Sequence, residues 1–253
     1  MAAIPLLCVV VYMVASGVVG VRLIARARQS RGVPELLAGM SYVAAPALGY
    51  PLAILTPMLS NRAIAAPLYV IGETLLVFGC CCFLFFTVKV FRPGAQWAIW
   101  SAALGSAVLI WCGFGITHAY LITSTVDECA ALAKIPLAVM VLLLMLSYIW
   151  TALEGLRYYR MMRKRMALGL ADAVVTNRFL LWGFSGLTSL AWISVSAFCL
   201  AAGANIGSDP LPVTATSVGG IVNTVFLVLI FMPPPAYTRW LERLARSNAL
   251  ATV

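Results

Sequence analysis

Seven apolar stretches, each long enough to cross a lipid bilayer, occupy most of this 253-residue chain. A helix needs about 20 mainly apolar residues to span the hydrocarbon core. Hydrophobic residues make up 63% of the chain and charged residues only 10%, which departs from the composition of soluble domains. The predicted spans are Ile4–Ile24, Pro34–Leu59, Ala65–Phe91, Gln96–Tyr120, Ala131–Leu153, Asn177–Asn205 and Val213–Met232. The sequence therefore predicts an all-α integral membrane protein, a single seven-transmembrane-helix bundle over residues 1–253.

The distribution of basic residues predicts the orientation. No basic residue precedes the first span, and four arginines lie at or just beyond its C-terminal end, so we interpret it as a retained helix and not as a signal peptide. With the N-terminus outside, 15 of the 17 Lys and Arg residues fall on the cytoplasmic side, and only Arg62 and Lys134 lie outside. Because Lys and Arg are retained in cytoplasmic loops, the sequence predicts an outside N-terminus and a cytoplasmic C-terminus.

The basic residues also suggest surroundings and partners. Arginine outnumbers lysine 14 to 3, a compositional sign of a GC-rich bacterial genome, so we expect a multi-pass protein of a bacterial cell inner membrane. The net charge of +9 is expected to face anionic lipid headgroups at the cytoplasmic rim and to be available to a cytoplasmic protein partner. Nucleic acid is not an expected partner, because these charges lie close to helix ends. Ser16 and Gly20 have the spacing of close helix contacts, which leaves a homo-oligomer open.

Two cytoplasmic segments are predicted to be helical beyond the membrane. The basic run at residues 158–165 should continue the fifth helix, and residues 168–175 should then turn the chain, with Thr176 or Asn177 capping the sixth helix. After three prolines at 233–235, residues 236–253 place Trp240 and Leu244 on one face and charged residues on another. This pattern predicts a short amphipathic C-terminal helix at the membrane interface.

Glu73 is the clearest ionisable residue within a predicted span, and such residues are functional candidates because they are costly in a membrane. We expect its side chain to face the bundle in the outer half, within hydrogen-bonding reach of span two, six or seven. It is either a neutral structural carboxyl or a ligand counter-charge or proton site. If it is hydrogen-bonded, Glu73→Leu should cost about 1–3 kcal/mol.

Seven further residues are candidates for ligand contact. His118 and Lys134 lie at the outer ends of spans four and five, where they either meet Glu73 or reach water at the interface. Small polar residues at helical spacing either bind neighbouring helices together or line a pocket, and Trp192 within such a stripe favours the pocket. The candidates in these stripes are Tyr50, Ser189, Trp192, Ser196 and Asn223.

No metal or other cofactor is predicted. The chain has one histidine, and Cys80, Cys81 and Cys82 are consecutive on a helix, so their side chains point about 100° apart. Cys129 and Cys199 are the two cysteines that could form a disulfide in an oxidising periplasm.

The layout resembles that of seven-helix receptors and rhodopsins in its outside N-terminus, its basic inner loop before helix six and its interfacial helix after helix seven. The residues depart from both patterns. The seventh span has no lysine for a retinal Schiff base, and Pro233 and Tyr237 follow Asn223 too late for a receptor helix seven. We therefore assign no family.

Three functions remain open. The first is a receptor-like or accessory membrane protein that binds a small apolar or amphipathic ligand in the outer half of the bundle. The second is a proton- or ion-coupled transporter or channel using Glu73. The third, an intramembrane lipid-modifying enzyme, has the least support, because the sequence shows no set of residues typical of catalysis.

Overall fold

The computed structural model describes residues 3–56, 59–202 and 210–250, and these form helices joined by short connections. The helices are α1 (Ala3–Ser30), α2 (Val33–Tyr42), α3 (Tyr50–Leu55), α4 (Arg62–Phe91), α5 (Gln96–Ile122), α6 (Val126–Ala167), α7 (Ala173–Ala201), α8 (Pro210–Phe231) and α9 (Pro235–Leu250). A π-helical segment, Val43–Gly49, joins α2 to α3. The described part of the chain contains no strand, in agreement with the predicted all-α class.

Seven helical segments are long and apolar enough to cross a membrane, which confirms the number of predicted spans and indicates a multi-pass membrane protein. They are Leu7–Ser30, Val33–Leu55, Arg62–Phe91, Gln96–Ile122, Asp127–Ala167, Ala173–Cys199 and Val213–Phe231. The predicted end of the sixth span, at Asn205, lies outside the described residues. The orientation of the spans stays a prediction.

The chain divides into two compact units. The N-terminal unit is Val10–Leu146, and the C-terminal unit is Ser147–Val253 together with Met1–Val9. The first unit contains most of α1, the second span, α4, α5 and the first half of α6. The second contains the remainder of α6 with α7, α8 and α9.

The second span is helical without a break from Val33 to Leu55, but its central part changes from α-helical to π-helical hydrogen bonding. Pro46 lies inside the π-helical segment, where its missing N–H and its ring are incompatible with regular α-helical hydrogen bonding. Pro51 follows in the first turn of α3, a position where proline suits a helix start. The π-helical segment is thus the part of a continuous helical span that contains Pro46.

Glycines bring α4 into close contact with the second span. A Cβ on Gly72 would lie 2.6 Å from Leu52 Cβ and 2.8 Å from the Ala53 backbone nitrogen. A Cβ on Gly79 would lie 2.6 Å from the Ala45 backbone nitrogen. Because only glycine allows such an approach, this contact fixes the rotation of α4 about its axis.

The basic connection after the fifth span is a helical extension, as predicted. α6 runs without a break for 42 residues, about 63 Å at 1.5 Å per residue. The hydrocarbon core is only about 30 Å thick. The basic end of α6 therefore extends well past the apolar span.

The start of α7 differs from the prediction. Asp172 Oδ1 accepts hydrogen bonds from the backbone N–H groups of Val174 (2.8 Å) and Val175 (3.0 Å). Asp172 is thus the N-cap, and the predicted caps Thr176 and Asn177 lie inside the helix. Asparagine 177 instead donates from Nδ2 to the Tyr237 hydroxyl of α9 at 2.6 Å. Asp172 was not among the predicted caps, and it satisfies two N–H groups at once.

The predicted C-terminal helix is present as α9, which begins at Pro235. Trp240 and Leu244 are 52% and 41% exposed. Charged side chains occupy other positions of the same helix. Large apolar side chains left exposed beside charged ones are typical of a helix at a membrane interface.

Candidate functional site

The eight candidate residues belong to different units. Tyr50, Glu73, His118 and Lys134 lie in the N-terminal unit, and Ser189, Trp192, Ser196 and Asn223 lie in the C-terminal unit. Each group is described within its own unit.

Asn223 has both ends of its carboxamide hydrogen-bonded between α8 and α7. Its Oδ1 accepts from the Ser185 hydroxyl at 2.7 Å, and its Nδ2 donates to Ser189 Oγ at 3.2 Å. Asn223 and Ser189 are each 8% exposed. This polar group binds the two helices together, which is the packing interpretation of the stripe.

Trp192 and Ser196 also take part in helix packing. The Ser196 hydroxyl donates to the Trp192 carbonyl oxygen one turn earlier on α7, at 3.0 Å. The Trp192 side chain packs on Gly219 of α8, where an added Cβ would lie 2.8 Å from Trp192 Cδ1. These contacts favour a packing role for both residues over a ligand role.

Glu73 is buried in the N-terminal unit and faces α5. Its side chain is 5% exposed, and a Cβ on Gly113 of α5 would lie 3.8 Å from Glu73 Oε1. The prediction of an inward, buried side chain is confirmed. The neighbouring helix is the fourth span, which was not among the predicted ones. The reason is the rotation of α4, because Gly72 faces the second span and the next residue points about 100° away.

The Glu73 carboxyl lacks a hydrogen bond that its burial requires. Oε1 is fully buried, and no donor in the described part of the chain reaches it. More than nine in ten buried polar groups in proteins are hydrogen-bonded. Leaving one without a partner costs about 1–3 kcal/mol. The expected structural hydrogen bond to span two, six or seven is therefore not made by this oxygen.

Aromatic side chains lie one turn from Glu73, toward the start of α4. Tyr69 stacks on Tyr120 of α5 with ring centroids 3.9 Å apart and an interplanar angle of 22°. The Arg62 guanidinium carbon lies 5.7 Å from the centroid of the Tyr120 ring, within the range of a cation–π contact. A flat aromatic pair therefore lies between Glu73 and a cation.

Arg62 also ties the start of α4 to the end of α5. Its Nη2 donates to the carbonyl oxygen of Tyr120 at 2.7 Å and to that of Thr123. A guanidinium has five N–H donors, and the last carbonyls of a helix have no partners within it. Arg62 therefore stabilises this end of the α4–α5 pair and holds Tyr120 in place.

Other polar side chains continue from Glu73 through the same unit. The Tyr69 hydroxyl interacts electrostatically with Glu73, Tyr120 and Cys129. The Cys80 thiol interacts with Glu73. Tyr12 of α1 interacts with Cys80 and with Tyr50 of α3. The candidate Tyr50 is thus one of several polar side chains of this unit that lie close enough to interact electrostatically.

His118 and Lys134 do not join this buried set. Both side chains are exposed. The His118 ring stacks on Phe114, which is 72% exposed, with centroids 6.2 Å apart. Lys134 is adjacent to Ile135, which is 68% exposed. The interfacial interpretation of the two residues stays a prediction.

The cysteines are free thiols, including Cys129 and Cys199. Among the residues that the structure describes, no group of three His, Cys, Asp or Glu side chains could hold a metal ion.

Sequence reasoning missed Tyr69, Tyr120 and Arg62 as neighbours of Glu73. Tyr69 is four residues before Glu73, so helical spacing alone places it on the same face. Tyr120 and Arg62 come together only because α4 and α5 are antiparallel neighbours with a particular rotation, and a single sequence does not give that rotation.

Comparison with protein families, curated proteins and solved structures finds no match to this chain.

Proposed function

We propose that this protein binds a small amphipathic ligand between α4 and α5, with a hydrogen-bond donor of the ligand directed at Glu73. The observation that supports the proposal is the buried Oε1 atom without a partner. A ligand hydroxyl or amine would supply the missing hydrogen bond and offset the cost of burying the carboxyl.

The surroundings of Glu73 favour a ligand with an apolar body. Val77, one turn further along α4, is 8% exposed and packs at Gly113. On the other side lie the stacked rings of Tyr69 and Tyr120. Small-molecule sites typically combine apolar and aromatic walls with a few polar groups that fix orientation.

The membrane context of this site is also part of the proposal. The distribution of 15 basic residues against two supports an outside N-terminus. Glu73 would then lie in the outer half, 11 residues into α4, or about 16 Å along the helix. The 15 basic residues would then face the cytoplasm. This arrangement suits a receptor-like or accessory protein of a bacterial inner membrane that contacts a cytoplasmic partner.

Native mass spectrometry of the detergent-purified protein tests this function. We expect a non-covalent adduct of low mass on the wild type that is absent from Glu73→Leu, which removes both acceptor oxygens. Glu242→Gln is the matched control, because Glu242 is an exposed carboxylate of α9 and its loss should leave the adduct in place. An adduct retained by Glu73→Leu would contradict the proposal.

A proton-coupled function is the second candidate, because Glu73 is an ionisable side chain that is buried in a helix apolar enough to span a membrane. Asp, Glu and His side chains within spans are the residues that relay protons in membranes. In proteoliposomes with a pH-sensitive dye and an imposed potassium gradient, this function predicts proton uptake that Glu73→Gln abolishes. Uptake no faster than in protein-free liposomes would rule it out.

A further inference from the structure

We infer that one face of α6 binds an anionic phospholipid, with the lipid phosphate on Arg157, Arg160 and Lys164. A surface groove of about 370 Å³ runs along this face. Its lining consists of Leu153, Leu156, Arg157, Arg160, Met161 and Lys164. This site lies on another helix face, in the C-terminal unit, and its occupancy does not depend on the ligand proposed at Glu73.

The lining residues form one helical face that changes from apolar to cationic within a turn. Leu153, Arg157, Arg160 and Lys164 are separated by four, three and four residues, which aligns them along α6. Leu153 is 64% exposed and Ile149, one turn before it, is 36% exposed. The apolar part of the face therefore belongs to the membrane span, and the cationic part follows it directly.

This order of side chains matches the order of groups in a phospholipid. An acyl chain can lie along Ile149 and Leu153, because both present apolar side chains to the surroundings. The phosphate then reaches the basic turns of α6 beyond the hydrocarbon core. Arginine contacts phosphate through its forked N–H donors, and lysine adds a point charge.

Charge complementarity identifies the occupant as anionic. The groove is lined by three cations and no acidic side chain. Anionic lipids are attracted to such clusters of basic residues next to a span. A free anion would bind the basic residues only and would leave the apolar half of the groove without a role. An acidic protein segment would not require that the basic residues directly follow the apolar part of the membrane span.

The experiment is lipid titration followed by native mass spectrometry, with phosphatidylglycerol and phosphatidylcholine added to the purified protein in separate samples. We compare Arg160→Gln/Lys164→Gln with Arg163→Gln/Arg165→Gln. Both pairs remove two exposed positive charges from the same stretch of α6, but only the first pair lines the groove.

The wild type should retain phosphatidylglycerol in preference to phosphatidylcholine. The groove pair should weaken phosphatidylglycerol retention on the order of thirtyfold, since each of the two basic residues contributes about a fivefold gain in binding. The off-groove pair, and Glu73→Gln, should retain the preference. Equal losses in both pairs, no lipid preference in the wild type, or displacement of the lipid by millimolar inorganic phosphate would each overturn the inference.

Discussion

Two buried polar residues, Asn223 and Glu73, are in opposite hydrogen-bonding states. Asn223 has partners at both ends of its carboxamide, on Ser185 and Ser189. The Oε1 atom of Glu73 has none among the described residues. The first residue therefore stabilises helix packing. The second carries a cost that a ligand can offset, as is common for residues that serve function at the expense of stability.

Replacing Asn223 should destabilise the protein. Asn223→Leu removes two hydrogen bonds between α7 and α8 and leaves Ser185 and Ser189 with fewer partners. Interhelical hydrogen bonds in membrane proteins contribute about 0.6 kcal/mol on average and up to about 1.7 kcal/mol, so we expect a loss in that range for each bond. Equilibrium unfolding in mixed micelles measures it.

Thr224→Val is the control for this measurement. The Thr224 hydroxyl donates to the Gly220 carbonyl oxygen of its own helix, so its removal should change the unfolding free energy little. A loss for Thr224→Val equal to that for Asn223→Leu would show that the contacts of Asn223 with α7 contribute nothing specific.

At the scale of single residues, the sequence predicted part of the arrangement around Ser189 and Glu73. Helical spacing placed Ser189 on one face of its helix, and small polar residues in spans are usual partners of other helices. The burial of Glu73 also followed from the cost of a carboxyl in lipid. The identity of the helix that faces Glu73 could not be predicted, because Gly72 and Gly79 fix the rotation of α4 through contacts with residues distant in the sequence.

At the scale of the helices, close glycine contacts position the Glu73 carboxyl. α4 meets the second span at Gly72, and Glu73 is consequently directed at Gly113 of α5. A substitution at Gly72 should therefore shift the Glu73 carboxyl, although Gly72 itself faces the second span and not α5.

Gly72→Ala should destabilise the N-terminal unit by about 1–3 kcal/mol, the usual cost of overpacking a core. The added Cβ would lie 2.6 Å from Leu52 Cβ, so α3 and α4 have to separate. Gly17→Ala is a matched control on α1, because its Cβ would meet Ala47 Cβ at an ordinary 3.4 Å. Thermal unfolding compares the two, and a loss for Gly17→Ala as large as that for Gly72→Ala would contradict the argument.

Helix boundaries were predictable where the sequence pattern is local. The basic extension of α6 and the amphipathic α9 follow from runs of residues that share a helical period. The π-helical segment was not predicted, because Pro46 shows that regular hydrogen bonding is interrupted but not how the backbone compensates. The prediction of Thr176 or Asn177 as the cap of α7 was wrong, because the helix begins earlier, at Ala173, and Asp172 caps it.

At the scale of the whole molecule, orientation rests on charge alone. Seven helical segments of the described residues are long and apolar enough to cross a membrane, and the 15-to-2 distribution of basic residues predicts which side each connection faces. The α5–α6 and α6–α7 connections provide positions for a test of the orientation.

Cysteine labelling in intact cells tests the orientation, in a Cys129→Ser background. Ser124 is exposed between α5 and α6, and Leu168 is 73% exposed after α6. We expect a membrane-impermeant maleimide to label Ser124→Cys in intact cells and Leu168→Cys only after the membrane is disrupted. The opposite pattern would invert the proposed topology and place Glu73 in the inner half.

Thermal unfolding of ligand-free Glu73→Leu decides whether Glu73 serves a ligand or the fold. Because the carboxyl oxygen Oε1 has no partner to lose, replacement by leucine should leave the melting temperature unchanged or raise it. Asn223→Leu in the same detergent should lower it, by roughly 2–4 °C for each kcal/mol lost. A melting temperature for Glu73→Leu that falls as far as that of Asn223→Leu would show that Glu73 is a structural residue and would contradict the ligand site.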